Sequence, residues 1–379
     1  MASSQIPFTR AAPVERELAF VKEVLETRAL KGDGPMAKRC EALIAAASGT
    51  KSAALTHSCT AALELASLAL NLRSGDEVIM PSYTFSSTAN AVALRGAVPV
   101  FVDIRPDTLN LDEAKIPAAI TPKTRAIYAV HYAGVVAEMD AINDIAKFHG
   151  LAVVEDAAQA YLSTYKGQPA GGLSTIGCFS FHETKNVVSG EGGALVTNDE
   201  KIAARVSIFC EKGTNRQEYL NGMIDKYTWV DLGSSYHPGE LIAAFLRAQL
   251  EAAQTINASR LAYWNSYFAA FGSLEAQGIL YRPVVPAHCT HNGHLFYLLL
   301  RDAQTRDRLL QALRSDGIDA PFHYVPLHSS PAGRAFGRCS GTLDRTDDLA
   351  ARLIRLPLYS NMGNAIDRVI DRVFQHLKE

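Results

Sequence analysis

The chain has 379 residues, a formal net charge of −2, and 48% hydrophobic against 20% charged residues. That length fits two domains, and that balance fits a globular protein with a large core. No basic block gives the footprint of a nucleic-acid binder, and no apolar run is long enough to span a bilayer, so neither partner is expected.

Residues 14 to 30 read as a helix with Val14, Leu18, Val21, Val24 and Leu25 on one side. Gly32-Asp33-Gly34-Pro35 breaks it, and Pro35 opens a second helix ended by Gly49. Apolar strands and helices then alternate. The strands are 53–55, 77–80, 98–102, 126–130 and 151–155. The helices are 58–72, 84–94, 112–120 and 139–149. This pattern predicts a parallel sheet covered on both faces, with ligands bound beyond the carboxyl ends of its strands. Two more strands flank Lys185, one ending near Ser180 and one over 194–196. A helix over 199–208 precedes an irregular polar stretch, 210–236, of the length that usually carries function or an interface. Residues 239–270 read as one long helix leading into a smaller part. That part holds a strand (295–300), a helix (305–315), the Pro/His-rich segment 321–328 and two closing helices. The expected boundary divides a large domain, 1–245, from a small one, 246–379. The six cysteines form no Cys-x-x-Cys pair, so no metal site or disulfide framework is expected. The N-terminus lacks a basic region followed by an apolar core, and a reducing cytoplasm is the expected compartment.

Four stretches converge where the loops after strands should meet. His57-Ser58-Cys59-Thr60-Ala61 opens a helix, whose unpaired N–H groups and dipole favour an anion, with Thr60 adding a hydroxyl. Pro81-Ser82-Tyr83-Thr84-Phe85 places an aromatic that can stack on a flat ring. Glu155-Asp156-Ala157-Ala158-Gln159 puts a carboxylate at the end of an apolar strand, where a charge needs a cationic partner. The fourth stretch holds Ser180, His182 and Lys185 before Gly190-Glu191-Gly192-Gly193. Read singly, Lys185 is a surface-loop lysine. Partly desolvated between two strands, its amine titrates low and can form a Schiff base with a carbonyl. Together the four stretches describe a pyridoxal 5'-phosphate site. In it Lys185 binds the aldehyde, Asp156 meets the ring nitrogen, Phe85 stacks, Gln159 reaches the ring hydroxyl, and Thr60 and Ser180 take the phosphate.

The sequence resembles the sugar aminotransferases of the DegT/DnrJ/EryC1/StrS group over nearly its whole length. The residues carrying the likeness are Gly75-Asp-Glu-Val-Ile79, Pro81 to Phe85, Pro99-Val-Phe-Val-Asp103, Val154 to Gln159, Phe179-Ser-Phe-His182 with Lys185, and Gly190 to Gly193. The resemblance implies the α/β aspartate-aminotransferase-like fold (fold type I), with a mainly parallel sheet in the large domain. It implies pyridoxal phosphate, L-glutamate as donor, a nucleotide-linked keto sugar as acceptor, and a homodimer with shared active sites. It assigns Lys185 as the catalytic lysine and Thr60, Ala61, Phe85, Asp156, Gln159 and Ser180 as cofactor contacts. The family's usual cross-subunit asparagine stands here as Ser235, within Gly233-Ser-Ser-Tyr236. Lys226 to Tyr236, Gly32-Asp-Gly34 and Phe322-His-Tyr-Val-Pro-Leu-His328 resemble the branch making dTDP-4-amino-4,6-dideoxygalactose. That branch feeds bacterial surface glycans such as enterobacterial common antigen. It makes His323, Tyr324 and His328 candidates for substrate contacts. His237-Pro238 departs from that branch. The alternatives are a GDP-linked 4-keto or dTDP-linked 3-keto acceptor, or a non-catalytic regulatory protein on the same fold, against which Lys185 with Asp156 speaks.

Overall fold

The computed structural model describes residues 5–378. Its main sheet has eight strands. Seven come from residues 52–197: β1 (Ser52–Thr56), β2 (Glu77–Pro81), β3 (Val98–Val102), β4 (Thr124–Val130), β5 (Ala152–Asp156), β6 (Ile176–Ser180) and β7 (Gly193–Thr197). Their order is β1-β7-β6-β5-β4-β2-β3, and the short strand Arg338–Cys339 closes the edge beside β3. All neighbours run parallel except β7, which is antiparallel to both β1 and β6. The fold is therefore α/β with a mainly parallel sheet.

The nearly continuous apolar strands follow from cover on both faces. Successive side chains point to opposite faces, so each strand feeds two cores. Ile79, Val100, Val102, Val153 and Val196 pack with Phe20, Met36, Ile44 and Leu246 on one face. Val78, Met80, Phe101, Val154 and Leu195 pack with Leu63, Leu65 and Phe209 on the other. The same alternation separates the two adjacent acids of β5. Glu155 points away from the site, fully buried, and accepts from Gly171 N–H, Leu173 N–H, Ser174 Oγ and His131 Nε2. Asp156 points the other way, into the cavity described below.

A second sheet of three antiparallel strands, Leu280–Tyr281, Phe296–Leu300 and Leu353–Leu356, lies in the C-terminal part. It packs with Trp264, Tyr267, Phe271, Leu309 and Val369 from the neighbouring helices. A further cluster, including Tyr83, Tyr132, Tyr297 and Leu353, joins the two parts. One ion pair and one hydrogen bond add to it. Arg338 grips Glu77 with Nε at 2.9 Å and Nη2 at 2.7 Å, and Thr346 donates to buried Asp103.

Two expected helices differ in the structure. The run 239–270 is two helices, Glu240–Glu251 and Ala253–Ala270. The first buries Ala243, Ala244 and Leu246 against the large sheet, whereas the second sends Trp264 and Tyr267 into the smaller core. A break at Ala252 lets each half face its own core. The expected helix 112–120 is a 3-10 turn, Glu113–Lys115, followed by Ile116–Ala119. Pro117 lacks the N–H that a regular helix interior would use.

One buried acid organises the N-terminal helices. Glu240 accepts from the N–H groups of Gly34, Met36 and Ala37 and so caps the helix Pro35–Ser48 from another helix. A Cβ at Gly34 would lie 2.6 Å from its carboxyl carbon, so only glycine allows this approach. Charge-assisted hydrogen bonds to a helix start are each worth about 1–3 kcal/mol. Glu240→Gln keeps the shape and removes the charge. It should lower unfolding stability by about 1–3 kcal/mol with an unchanged denaturant slope, read by urea titration. An unchanged midpoint would show that the cap does not stabilise the fold.

Candidate active site

A cavity of about 610 Å³ opens beyond the carboxyl ends of the central strands, between the two sheets. It holds residues from all four predicted stretches: Thr60, Phe85, Asp156, Gln159, Ser180 and Lys185. His323 and Tyr324 from the C-terminal part line it as well.

Asp156 ends β5 and is 5% exposed. Its Oδ2 accepts from Thr88 Oγ1 at 2.7 Å, and its Oδ1 from Ala158 N–H at 3.3 Å. Among the described residues no cation pairs with it in contact. Burial therefore pushes its carboxyl pKa up, against the pull of Thr88, Ala158 and the more distant Lys185. Lys185 sits in the loop between β6 and β7, where its N–H donates to His182 O. The next residue anchors that loop. Asn186 Nδ2 donates to Asn257 Oδ1 and Asn292 O, and its Oδ1 faces His294 Nδ1 at 3.1 Å. The Asn186 amide uses its donors on oxygens, so the His294 ring donates to Oδ1. Burial is the largest influence on the Lys185 amine and holds it below the ordinary lysine range. A neutral amine there can take and return a proton.

The anion end forms where β7 begins. The helix Cys59–Ala69 starts on the cavity, and its N-cap Ser58 accepts from Ala61 N–H at 3.1 Å. The N–H groups of Cys59 and Thr60 have no partner among the described residues. Gly193 lets β7 approach this helix start, because a Cβ there would lie 2.4 Å from Cys59 N. Thr60 Oγ1 and Ser87 Oγ share a hydrogen bond of 2.7 Å. Ser180 closes this end from β6.

The remaining predicted residues are placed variously. Ala61 is buried, does not line the cavity, and has its N–H on the Ser58 cap. Phe85 stands at the rim, 60% exposed. Gln159 is fixed at both ends, its Oε1 accepting from Ala133 N–H and its Nε2 donating to Tyr324 Oη at 3.0 Å. His323 hydrogen-bonds Tyr132 Oη through Nδ1, and burial pushes its ring pKa well down, so it is neutral. His328 does not line the cavity. It bonds Ser82 Oγ through Nδ1 at 2.8 Å, with Nε2 3.4 Å from Asp347. Ser235 is exposed and outside the cavity, in an isolated backbone bridge with Glu211.

Sequence reasoning missed Phe8, Thr9, Arg260, His294 and Arg355, which all line the same cavity. Each sits in a locally ordinary helix, strand, connecting loop or terminal segment, so no local pattern marks it.

The profile of the DegT/DnrJ/EryC1/StrS aminotransferase family matches residues 12–374. The spore coat polysaccharide biosynthesis protein SpsC of Bacillus subtilis is 35% identical over 377 residues, covering 97% of this chain and 96% of that protein. The structure of S. venezuelae DesV, solved with a ketimine intermediate, superposes with a TM-score of 0.89 at 33% identity and covers 99% of both chains. DesI, solved in the presence of its TDP-sugar product, gives 0.90 at 30% identity, over 99% of this chain and 93% of that one.

Asp156 also yields a stability test. Its folded pKa is raised, so it favours the fold only at low pH, and that contribution is lost as pH rises through the folded value. At neutral pH the ligand-free protein therefore carries a cost at this site. Asp156→Asn should stabilise the ligand-free protein at pH 7 by about 1–3 kcal/mol. The gap should close as pH falls to the ordinary aspartate range, followed by denaturant melts across pH. A variant less stable than wild type at pH 7 would contradict this.

Proposed function

The chain belongs to the DegT/DnrJ/EryC1/StrS aminotransferase family, and within it we propose that the protein moves an amino group from L-glutamate to C4 of a dTDP-linked 4-keto-6-deoxy sugar. The products are dTDP-4-amino-4,6-dideoxy-D-galactose and 2-oxoglutarate, for bacterial surface-glycan synthesis. The coarser activity is that of the family, a pyridoxal-phosphate-dependent sugar aminotransferase acting on nucleotide sugars.

The cavity fits this cofactor. Among the described residues, a buried carboxylate without a counter-ion, an amine held below the ordinary lysine range and a helix start with free N–H groups line one space. In our reading Asp156 meets the ring nitrogen, Lys185 the aldehyde carbon, and Phe85 the ring face. The remaining N–H of Gln159 Nε2 reaches the ring hydroxyl. Thr60, Ser180 and the start of the helix Cys59–Ala69 take the phosphate. When bound, the cofactor supplies the carbonyl that captures the donor's amine and a ring that accepts electrons.

The observation that carries the mechanism is Lys185, its amine held below the ordinary lysine range by burial, in the same cavity as Asp156. Lys185 takes the α-proton of glutamate in the first half-reaction. In the second it delivers a proton to C4 of the sugar from one face, which sets an axial, galacto-configured amine. His323 and Tyr324 stand on the C-terminal wall, where the sugar enters.

The nucleotide-sugar reading is supported by DesI, solved with a TDP-sugar product, and by SpsC, a polysaccharide biosynthesis protein. The 4-keto acceptor rests on residues 226–236 and 322–328. A homodimer is supported by the exposed apolar side chains of Leu220, Met223, Tyr227, Trp229 and Leu232, an extensive patch for a single chain. In such a dimer Ser235 would face the partner's phosphate end with one hydroxyl donor.

The test is a panel of dTDP-4-keto-6-deoxyglucose, its GDP-linked counterpart and a dTDP-linked 3-keto sugar, each with L-glutamate. Product NMR should show amination of the first, with an axial C4 amine. Preference for either other acceptor, or an equatorial amine, would contradict the reading.

A further inference from the structure

Away from the active-site cavity, three chain segments bring titratable side chains to one point. Asp33 stands in the turn before the helix Pro35–Ser48, Glu211 follows the helix Glu200–Cys210, and His237 closes the irregular stretch after it. One oxygen of each acid and one ring nitrogen of His237 lie within 4.8 Å of one another. The three residues are far apart in the chain, so no spacing motif marks them.

The backbone is shaped for this approach. A Cβ at Gly32 would lie 2.5 Å from Pro238 O and 3.0 Å from His237 Cβ, so only glycine lets the turn lie against the histidine. Glu211 and Ser235 form a backbone bridge, which brings the two ends of the stretch 211–237 together.

Both acids are buried, with side chains 8% exposed at Asp33 and 4% at Glu211. One oxygen of each has a fixed partner. Asp33 Oδ2 accepts from Gln217 Nε2 at 2.8 Å, and Glu211 Oε1 from Arg216 Nη1 at 3.1 Å. Among the described residues, the other oxygen of each meets only a lysine. Lys38 Nζ pairs with Asp33 Oδ1, and Lys212 Nζ lies 3.7 Å from Glu211 Oε2. Both lysine side chains are more than half exposed and can turn to solvent. Asp33 Oδ1 and His237 Nδ1 are buried, and neither makes a hydrogen bond. Lys38 thus offers Asp33 an ion pair without hydrogen-bond geometry. Buried polar atoms left in this way are costly unless a ligand completes them.

We propose that Asp33, Glu211 and His237 bind a zinc ion, which displaces the ammonium groups of Lys38 and Lys212. Two carboxylates and a neutral imidazole match the charge of a dication and leave a fourth position for water. The imidazole selects zinc over magnesium and calcium, which take oxygen ligands. Gln217 and Arg216 hold the two remaining carboxylate oxygens and so orient the ligands. Zinc bonds of about 2.0–2.2 Å put tetrahedral ligand atoms about 3.4 Å apart, so the three groups close on the ion by roughly 1 Å. A cavity of about 320 Å³, lined by Asp33, Lys38, Gln217 and His237 among others, gives the ion its way in. Once bound, the ion ties both ends of the stretch 211–237 to the N-terminal turn.

The test uses the holoenzyme, free of affinity tags and treated with a chelator, with zinc chloride as the probe. Calorimetry should show one zinc ion per chain, with magnesium failing to compete. His237→Ala and Asp33→Asn should each weaken zinc at least about tenfold, the smallest loss expected even for an outer partner of a metal ligand. Lys38→Met should tighten it, because the competing ammonium is gone. Zinc should also slow backbone hydrogen exchange across residues 211–237 in wild type and not in His237→Ala. If Asp33→Asn does not fold, His237→Ala and Lys38→Met decide. No zinc binding to wild type would overturn the proposal. Unchanged affinity in His237→Ala and Asp33→Asn would overturn it too, as the mark of an adventitious ion only. Weaker zinc binding in Lys38→Met, or equal slowing of exchange in His237→Ala, would also contradict it.

Discussion

The structure depends on keeping a carboxylate and an amine in one cavity without letting them pair. Asp156 and Lys185 feel each other electrostatically yet make no ion pair. In contact they would neutralise each other and leave nothing for a ligand. Their separation is built into the backbone. Asp156 is rigid at the end of a central strand and is tied by Thr88. Lys185 rides on a loop pinned by Asn186 to residues more than 70 positions away. The open space between them is where a molecule offering both a ring cation and a carbonyl fits.

The rest of the fold serves that separation. The large sheet supplies the floor, and the alternation within β5 sends Glu155 into a structural network while Asp156 enters the cavity. Gly193 lets β7 touch the helix that offers its free N–H groups. The C-terminal part supplies the opposite wall through His294, His323, Tyr324 and Arg355. The tyrosine cluster around Tyr83, Tyr132 and Tyr297 fixes that wall over the floor. Charge is thus distributed by layer: the acid on the sheet, the cations on the cover.

Much of this is legible in the amino-acid sequence, for identifiable reasons. Asp156 stands out because a charge at the end of an apolar run needs a partner, and Lys185 because two strands and a glycine-rich turn enclose it. The start of the helix after β1 announces an anion site by its cap residues. Cavity residues from distant segments are not legible this way. Arg355 reads as an ordinary charge on a short strand, and Arg260 as one on an unremarkable helix. Only the tertiary fold brings both to the cavity, where among the described residues neither has a counter-ion. His328 shows the converse. Beside His323 in a Pro/His-rich segment it looks like a substrate contact, yet the chain turns it onto Ser82 and Asp347. The break at Ala252 was hidden because both halves are good helix formers and only their two different cores separate them.

The central claim is that Lys185, of all the lysines in the chain, meets the cofactor's carbonyl. Borohydride reduction of the yellow holoenzyme, followed by proteolysis and mass spectrometry, tests it most directly. The account predicts a single pyridoxyl-phosphate adduct on the peptide containing Lys185. An adduct on another lysine, or a protein that takes up no cofactor, would contradict it.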